Sequence, residues 1–405
     1  MPRLLPILFV LLCLQSVPPV LAQEAGGNRH LVEIGVVDSL YSEVLGEQRA
    51  YWIHLPGGGD LTPGKSYPVI YLLDGSALLG GLAMVQEFYN YFRLPEMIVV
   101  AISNQTHRTR DLTPTPVAAR HGAPVDESGG AERFASFLTS ELIPHIESAY
   151  PTLPHRTLIG HSYAGLFTLD MMINRPGHFR NYVAIDPSID WDDGVLLRQA
   201  EASFQSDDHA GTGLFISVAN EILRFSDTHT IDTVEQDTSE YSLGIRSNLA
   251  LVRAGEAARS NGLRFDWKFY EKDLHGSVPL VSMIDGLVFL YDWWELKSPS
   301  LYNDPATPTE TIVGMIRARS ESLTANMGVD MAMDEGLLTM LGFMSIQMDQ
   351  PDKARAVFGL LLEYYPRSAD AHEALSEFHE WAGEPKEARC HAARAVELAR
   401  TDVRN

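Results

Sequence analysis

From about residue 31 to residue 297, short apolar runs alternate with amphipathic stretches, and this alternation constrains the fold more than any other feature of the sequence. Several runs are apolar at consecutive positions, as expected of strands covered on both faces of a sheet. The pattern predicts strands at YWIHL (51–55), VIYLLDG (69–75), MIVVAIS (97–103), RTLIGHS (156–162), YVAIDPS (182–188), GLFISVAN (213–220) and FDWKFYE (265–271). Strands separated by helical patterns predict an α/β fold, with a mostly parallel sheet and helices on both faces.

The first 22 residues have the pattern of a secretory signal peptide. Arg3 gives a positive start, LLPILFVLLCL is an apolar run, and VLA precedes a cleavage position after Ala22. Prolines and a glutamine interrupt the run, which is shorter than the roughly 20 residues that a membrane span needs. We therefore predict a secreted or periplasmic protein, with no membrane span in the mature chain.

Composition excludes some partners and gives no sign of a cofactor. The net charge is −22, which argues against a nucleic-acid partner, because binding phosphates needs clustered Lys and Arg. Only Cys390 remains outside the predicted signal peptide, so no intramolecular disulfide is expected. His372 and His379 are each followed by Glu but lack the second histidine of a zinc-protease motif. We predict no cofactor and no metal.

The alternation ends in a segment rich in proline and turn-forming residues, which we predict to be a linker at 298–310 after an α/β domain at 23–297. Residues 311–405 show only helical patterns. QPDKARAVF begins at 350 and EPKEARCHA at 384, an offset of 384 − 350 = 34 residues, which is the length of a tetratricopeptide repeat. A plain helical hairpin is the alternative. Two repeats bury too little surface alone, so we expect this region to pack on the α/β domain, a second copy or another protein.

LIGHSYAG (158–165) places Ser162 between a strand and a helix, with Gly160 and Ala164 on either side. Small residues let strand and helix approach closely in such a turn, and the serine oxygen then projects above the sheet as a nucleophile. The base that activates it follows the last strand in this architecture. His275, in DLHGSVP, has that place.

The acid that orients His275 should follow a preceding core strand. We predict Glu221, at the end of GLFISVANE, with Asp227, Asp232 and Glu240 as alternatives.

The oxyanion needs two backbone donors. The expected N–H groups are those of Tyr163, after the nucleophile, and Ser76, after the Asp74-Gly75 turn. Arg108 and Arg110, in THRTRDLTP, are candidate contacts for an anionic part of a substrate, although solvated loop charges are the more common case.

Residues 31–295 resemble the putative esterase family of α/β-hydrolases, which includes siderophore esterases, feruloyl esterases and S-formylglutathione hydrolases. The resemblance rests on YPVIYLLDG, RTRDLTP, DLHGSVP and the long block GGAERFASFLTSELIPHIESAYPTLPHRTLIGHSYAGLF. It implies an α/β-hydrolase fold, with Ser162 as nucleophile, His275 as base and Glu221 as acid. The chain departs from many relatives at Ala164, where they have glycine, and in its helical extension.

These residues together predict a serine hydrolase that cleaves carboxylic esters of small molecules through an acyl-enzyme. Transfer of the acyl group to an alcohol is the alternative enzymatic function, since it uses the same groups. A non-catalytic scaffold, binding a partner through its helical repeats, is the alternative from a different class.

Overall fold

The computed structural model describes residues 34–59, 61–90 and 93–402, with side chains described to residue 400. The predicted signal peptide, 1–22, lies outside the described residues, and its prediction stays untested. None of the helices in the described part of the chain has the length and apolar character needed to span a bilayer.

Eight strands form one sheet, in the order β1-β2-β4-β3-β7-β8-β9-β10, and β5 and β6 form a separate two-stranded hairpin. From β4 to β10 neighbouring strands of the large sheet run parallel, whereas β1–β2 and β2–β4 are antiparallel. The strands are β1 (Val36–Ser42), β2 (Glu47–His54), β3 (Tyr67–Leu72), β4 (Ile98–Ile102), β5 (Ala119–Arg120), β6 (Ala123–Pro124), β7 (Thr152–His161), β8 (Asn181–Ile185), β9 (Gly213–Ala219) and β10 (Arg264–Tyr270).

Each of the predicted strands overlaps a strand of the sheet, but the sequence analysis missed β1. This strand is mostly exposed at the edge of the sheet. It therefore lacks the continuous apolar run by which the buried strands were found.

Helices follow most strands and continue to the end of the described chain. They are α1 (Gly75–Tyr89), α2 (Arg108–Leu112), α3 (Ala131–Phe137), α4 (Ile143–Ala149), α5 (Tyr163–Asn174), α6 (Trp191–Ser206), α7 (Leu243–Ala258), α8 (Pro279–Leu290), α9 (Pro299–Asn303), α10 (Thr309–Met327), α11 (Glu335–Gln347), α12 (Pro351–Tyr364), α13 (Ala369–Trp381) and α14 (Pro385–Asp402). A π-helical turn joins α3 and α4.

The sheet is buried on both faces, as β3 shows most simply. Tyr67, Val69 and Tyr71 point into a core that also contains residues of α3, α5, α6 and α7. Ile70 and Leu72 alternate with them and point into a second core with residues of α1 and α8. The predicted arrangement, a mostly parallel sheet between helices, is confirmed.

We call α10–α14 the helical tail. The tail has its own apolar cluster, centred on residues such as Phe358 and Phe378, which confirms an all-helical C-terminal region. The predicted linker is not wholly irregular, because it contains α9. The helix pairs α11–α12 and α13–α14 pack closely, but their assignment to the tetratricopeptide family stays a prediction.

The tail packs against the end of the sheet at which β7 begins. The ring of His155, near the start of β7, hydrogen-bonds through Nδ1 to the carbonyl of Asn326, 2.8 Å away. Arg319 of α10 donates to the carbonyls of Trp293 and Trp294, just after α8. Ser162 follows the other end of β7, about 23 Å from His155 at the usual rise of an extended chain. These contacts therefore lie far from the predicted nucleophile.

Candidate active site

Ser162 occupies a strained turn between β7 and α5. Its φ of 62° and ψ of −117° are unusual for a residue with a side chain. Hydrogen bonds hold this backbone: the Ser162 N–H donates to the Ile185 carbonyl at 3.0 Å, and the Ser162 carbonyl accepts from the Ser188 N–H at 3.1 Å. The turn therefore has the geometry of a nucleophile elbow.

The small residues around the serine have a steric explanation. A Cβ added to Gly160 would lie 2.2 Å from the carbonyl oxygen of Ala164, inside the first turn of α5. A Cβ added to Gly165 would lie 3.1 Å from the Cα of Pro187. Ala164 itself is fully buried. The sequence pattern thus reflects the close approach of β7, α5 and the loop after β8.

His275 lies in the loop between β10 and α8, where it contacts a buried carboxylate. Its Nδ1 is 2.6 Å from Oδ2 of Asp186, the residue that follows β8. The other carboxylate oxygen of Asp186 accepts from the Ala219 N–H at 3.0 Å and from the Asn248 amide at 3.3 Å. Asp186 is only 6% exposed, so these donors replace the water that its charge would otherwise need.

The structure places Glu221 on the backbone of His275, whereas the prediction expected it to orient the ring. Its Oε1 accepts from the backbone N–H of His275 at 2.7 Å, and its Oε2 lies 3.0 Å from the guanidinium of Arg224. Glu221 thus holds the loop that carries His275, whereas Asp186 occupies the ring nitrogen. The sequence analysis predicted an acid after β9. The carboxylate that contacts the His275 ring is Asp186, which follows β8, the neighbour of β7 in the sheet.

His161, the last residue of β7, packs against His275. The two ring centroids are 4.5 Å apart, with the planes tilted by 42°. Its Nε2 is buried and has no hydrogen-bond partner among the described residues. Burial lowers the pKa of His161 to about 4, with the nearby His275 acting in the same direction. His161 is therefore neutral near pH 7, and the sequence analysis did not identify this contact.

The two predicted oxyanion donors lie at the starts of helices. Tyr163 begins α5, and Ser76 is the second residue of α1. The first N–H groups of a helix have no partner within it. The strands β3 and β7 are parallel neighbours in the sheet, and α1 and α5 follow them. Both N–H groups therefore lie at the carboxyl ends of the strands, as Ser162 does. Their role stays a prediction.

Arg108 and Arg110 have different environments. Arg108 donates to both carboxylate oxygens of Asp74, at 2.9 and 2.8 Å, and is partly exposed. Arg110 contacts Glu47 and Asp111, each at 2.7 Å, and the hydrogen bond from Arg110 lowers the pKa of Glu47 to about 2. Arg110 thus belongs to an ion-pair cluster near β2, and its contact with a substrate stays a prediction. Within the described residues, no cluster of His, Cys, Asp or Glu has the arrangement of a metal site.

Comparison with known proteins agrees with this geometry. Residues 42–212 match the family model described as Putative esterase. The chain is 32% identical over 194 residues to the ferri-bacillibactin esterase BesA of Bacillus subtilis, covering 44% of this chain and 66% of that protein. It is also 32% identical over 181 residues to a siderophore enterobactin esterase of Emericella nidulans, covering 40% of this chain and 58% of that protein. The chain thus spans less than two thirds of the length of these relatives.

Solved structures of hydrolases share the fold of this chain. An IroE-like serine hydrolase from Shewanella oneidensis superimposes with a TM-score of 0.66 at 27% identity, covering 82% of this chain and 99% of that structure. The siderophore hydrolase EstB of Aspergillus nidulans shares the fold with a TM-score of 0.53, covering 66% of this chain and 98% of that structure, at 22% identity. Residues 42–212 thus match the putative esterase family, and the sheet order agrees with the α/β-hydrolase fold of these structures.

Proposed function

We propose that this protein is a serine esterase whose catalytic residues are Ser162, His275 and Asp186. The observation that carries the proposal is the 2.6 Å contact between His275 Nδ1 and the buried Asp186 carboxylate, at the edge of the sheet where Ser162 sits in its strained turn. A carboxylate on Nδ1 fixes the tautomer of the imidazole and leaves Nε2 free to accept a proton. No other pair of described residues combines these features beside a turn of this geometry.

The proposed reaction has two halves. Ser162 Oγ attacks the ester carbonyl while His275 takes its proton, and Asp186 stabilises the imidazolium that forms. The N–H groups of Tyr163 and Ser76 donate to the oxyanion. His275 returns the proton to the leaving alcohol, and water, activated in the same way, then releases the acid and the free serine.

Ser188 supplies a contact for the resting nucleophile. Its Oγ lies 3.4 Å from Ser162 Oγ, and its N–H donates to the Ser162 carbonyl. The hydroxyl of Ser188 thus marks one side of the space around the nucleophile.

We infer the substrate class from the relatives, two of which are named as siderophore esterases. Ester-linked siderophores are accordingly the first substrates to test, with p-nitrophenyl esters as simple reporters. The predicted signal peptide, 1–22, supports a secreted or periplasmic location, and fractionation of cells that produce the full chain tests it. The helical tail remains a candidate surface for a homodimer or a protein partner.

The test compares the wild-type protein with Ser162→Ala on p-nitrophenyl butyrate and on enterobactin, the siderophore in the name of one relative, with products followed by mass spectrometry. The proposal expects hydrolysis by the wild type only. Products in which an added alcohol has replaced water would instead assign acyl transfer. No turnover and no labelling of Ser162 by a fluorophosphonate would favour the non-catalytic scaffold.

A further inference from the structure

Three histidines form a cluster between the last two helices of the helical tail. Nδ1 of His372, on α13, lies 2.8 Å from Nδ1 of His391, on α14. The ring of His379, also on α13, stacks on that of His391, with centroids 5.3 Å apart and planes tilted by 7°. The tail contains no other histidine, and the proposed reaction uses none of the three.

The contacts of His372 determine where the protons lie when the rings are neutral. Its Nε2 lies 3.3 Å from the carbonyl oxygen of Pro366. A carbonyl can only accept, so Nε2 carries the one proton of the neutral ring. Nδ1 of His372 is then an acceptor, and Nδ1 of His391 donates to it. Because His372 is only 7% exposed, this contact is shielded from water.

This arrangement limits the number of protons that the cluster can hold. One added proton is accommodated, because an imidazolium can donate to a neutral imidazole. If His372 and His391 were both charged, two N–H groups would face each other across 2.8 Å, since each nitrogen would be a donor. The two rings must therefore separate when both are protonated.

The charged side chains beside the cluster balance at most one added proton. Nδ1 of His379 lies 2.6 Å from Oε2 of Glu384, which immediately precedes α14. The same carboxylate pairs with Arg355 of α12, and hydrogen bonds from Arg355 and His379 lower the pKa of Glu384. No acidic side chain contacts His372 or His391 among the described residues.

We propose that the three histidines hold α14 on α13 near neutral pH and release it in mildly acidic solution. This inference goes beyond the proposed function and does not depend on it. Burial, and then the neighbouring His372 and His379, lower the pKa of His391. The rings of the unfolded chain bind protons near pH 6.5, so the stabilisation is complete above about that pH and is lost as the pH falls through the lowered pKa of His391.

The release would be local and would expose part of α13. Besides the histidines, α13 and α14 meet at Ser376, whose Oγ donates to the carbonyl of Ala388 at 3.0 Å. Both of these residues are buried and would become accessible when α14 leaves. Helix α10 makes no hydrogen bond or ring contact with the three histidines among the described residues, so we expect it to stay packed.

The experiment follows a nitroxide label on Cys390, which is exposed on α14. The full chain carries Cys13→Ser, so that Cys390 is its only cysteine. In electron paramagnetic resonance spectra between about pH 7.5 and about pH 5, the mobile fraction of the label should rise at least about fivefold, and it should fall again when the pH is restored. The range ends above the pKa of about 4 of His155, so the contact of His155 with α10 is kept.

His372→Asn is the matched variant. Its amide oxygen can accept from His391 in place of Nδ1 but binds no proton, so the mobile fraction at about pH 5 should be at least about threefold below that of the wild type. His391→Asn, whose amide nitrogen can donate in place of Nδ1, tests the same point should His372→Asn fail to fold. His121→Asn, at an exposed histidine between β5 and β6, should keep the wild-type transition.

A second label distinguishes local release from opening of the whole tail. Glu321→Cys, combined with Cys13→Ser and Cys390→Ser, places the nitroxide at an exposed position of α10, and its spectrum should not change over the same pH range. Equal release of both labels would mean that the tail opens as a whole and would overturn the inference. An unchanged spectrum of the Cys390 label, or a transition that persists in His372→Asn, would overturn it as well.

Discussion

A buried histidine, His155, lies near the start of β7, and a partly buried one, His161, ends the strand. Their contacts distinguish a structural site from the proposed catalytic site. Burial lowers the pKa of both His155 and His161 to about 4. Both ring nitrogens of His155 have partners, since Nδ1 meets the Asn326 carbonyl and Nε2 lies 3.0 Å from the Asn181 amide. His161 has a buried Nε2 without a partner among the described residues, and its ring packs on His275.

The comparison shows that a shifted pKa does not by itself identify a functional group. Desolvation acts on any buried imidazole, whatever its role. The partners differ: those of His155 tie the helical tail to the sheet, whereas His161 faces the residue that we propose as the base. The contacts of a shifted histidine, more than the size of its shift, indicate what the residue does.

The largest expected effect concerns Ser162, which follows β7. Ser162→Ala should reduce kcat by about 10⁵-fold or more, because the remaining groups cannot form an acyl-enzyme. Steady-state hydrolysis of p-nitrophenyl butyrate measures the loss, and a fluorophosphonate probe should label the wild type and not the variant. Persistent labelling of Ser162→Ala would assign the nucleophile to another residue.

The next prediction distinguishes the two carboxylates near His275. Asp186→Asn should lower kcat on the order of 10³- to 10⁴-fold, because an amide cannot stabilise the imidazolium and favours the wrong tautomer. Glu221→Gln should lower it by less than about 10-fold, because an amide oxygen can still accept from the His275 N–H. Comparable losses in both variants, or a larger loss in Glu221→Gln, would contradict the assignment of Asp186.

The third prediction concerns stability at the other end of the strand. The pKa of His155 falls from 6.5 to about 4 on folding, so the unfolded chain binds more protons between these pH values. Neutral His155 therefore contributes to the free energy of unfolding, on the order of 3 kcal/mol. This stabilisation is complete above pH 6.5 and is lost as the pH falls through 4. Urea denaturation at a series of pH values gives the free energy of unfolding as a function of pH. The slope of this free energy against pH should be smaller for His155→Gln than for the wild type.

His121→Gln, at an exposed histidine, is the control for that series and should keep the wild-type slope. The comparison rests on the slope, because His155→Gln also loses hydrogen bonds and is less stable at every pH. An unchanged slope in His155→Gln would mean that His155 titrates alike in the folded and unfolded chains.

The smallest expected effect tests the packing of His161 against His275. His161→Phe keeps a ring against His275 and should lower kcat only a few-fold, whereas His161→Ala removes the packing and should lower it by about 10-fold. Because His161 is neutral above about pH 5, neither variant loses a charge near His275 in that range. The acid limb of the kcat/KM profile should therefore stay in place. A limb that disappears in His161→Phe would identify His161 as the titrating group.

Local signals in the sequence were sufficient to place Ser162 in the turn after β7 and His275 in the loop after β10. The first needs only a strand, a turn of small residues and a helix, and the second needs only its place after the last strand. The same is true of the buried strands, whose continuous apolar runs are recognisable without their neighbours. The edge strand β1 lacks such a run and was missed.

Long-range partners were not predictable from spacing. Asp186 directly follows the apolar run of β8 and precedes a proline, a signal present in YVAIDPS, but the carboxylate that reaches His275 is determined by the paths of loops between distant strands. Arg108 and Arg110 are two residues apart, yet one pairs with Asp74 and the other with Glu47. The pairing of such side chains depends on the packed structure and cannot be read from the periodicity of the sequence.

The contact between the tail and the sheet also has a consequence for biosynthesis. The ribosome adds His275 before Asn326, and 326 − 275 = 51 residues separate them. At roughly 5–20 residues per second, about 3–10 s pass before the partner of His155 is made. During this interval the proposed catalytic residues are complete in the nascent chain while the surface around His155 and Trp293 is still uncovered. A chaperone that binds the nascent chain in this interval would therefore find that surface accessible.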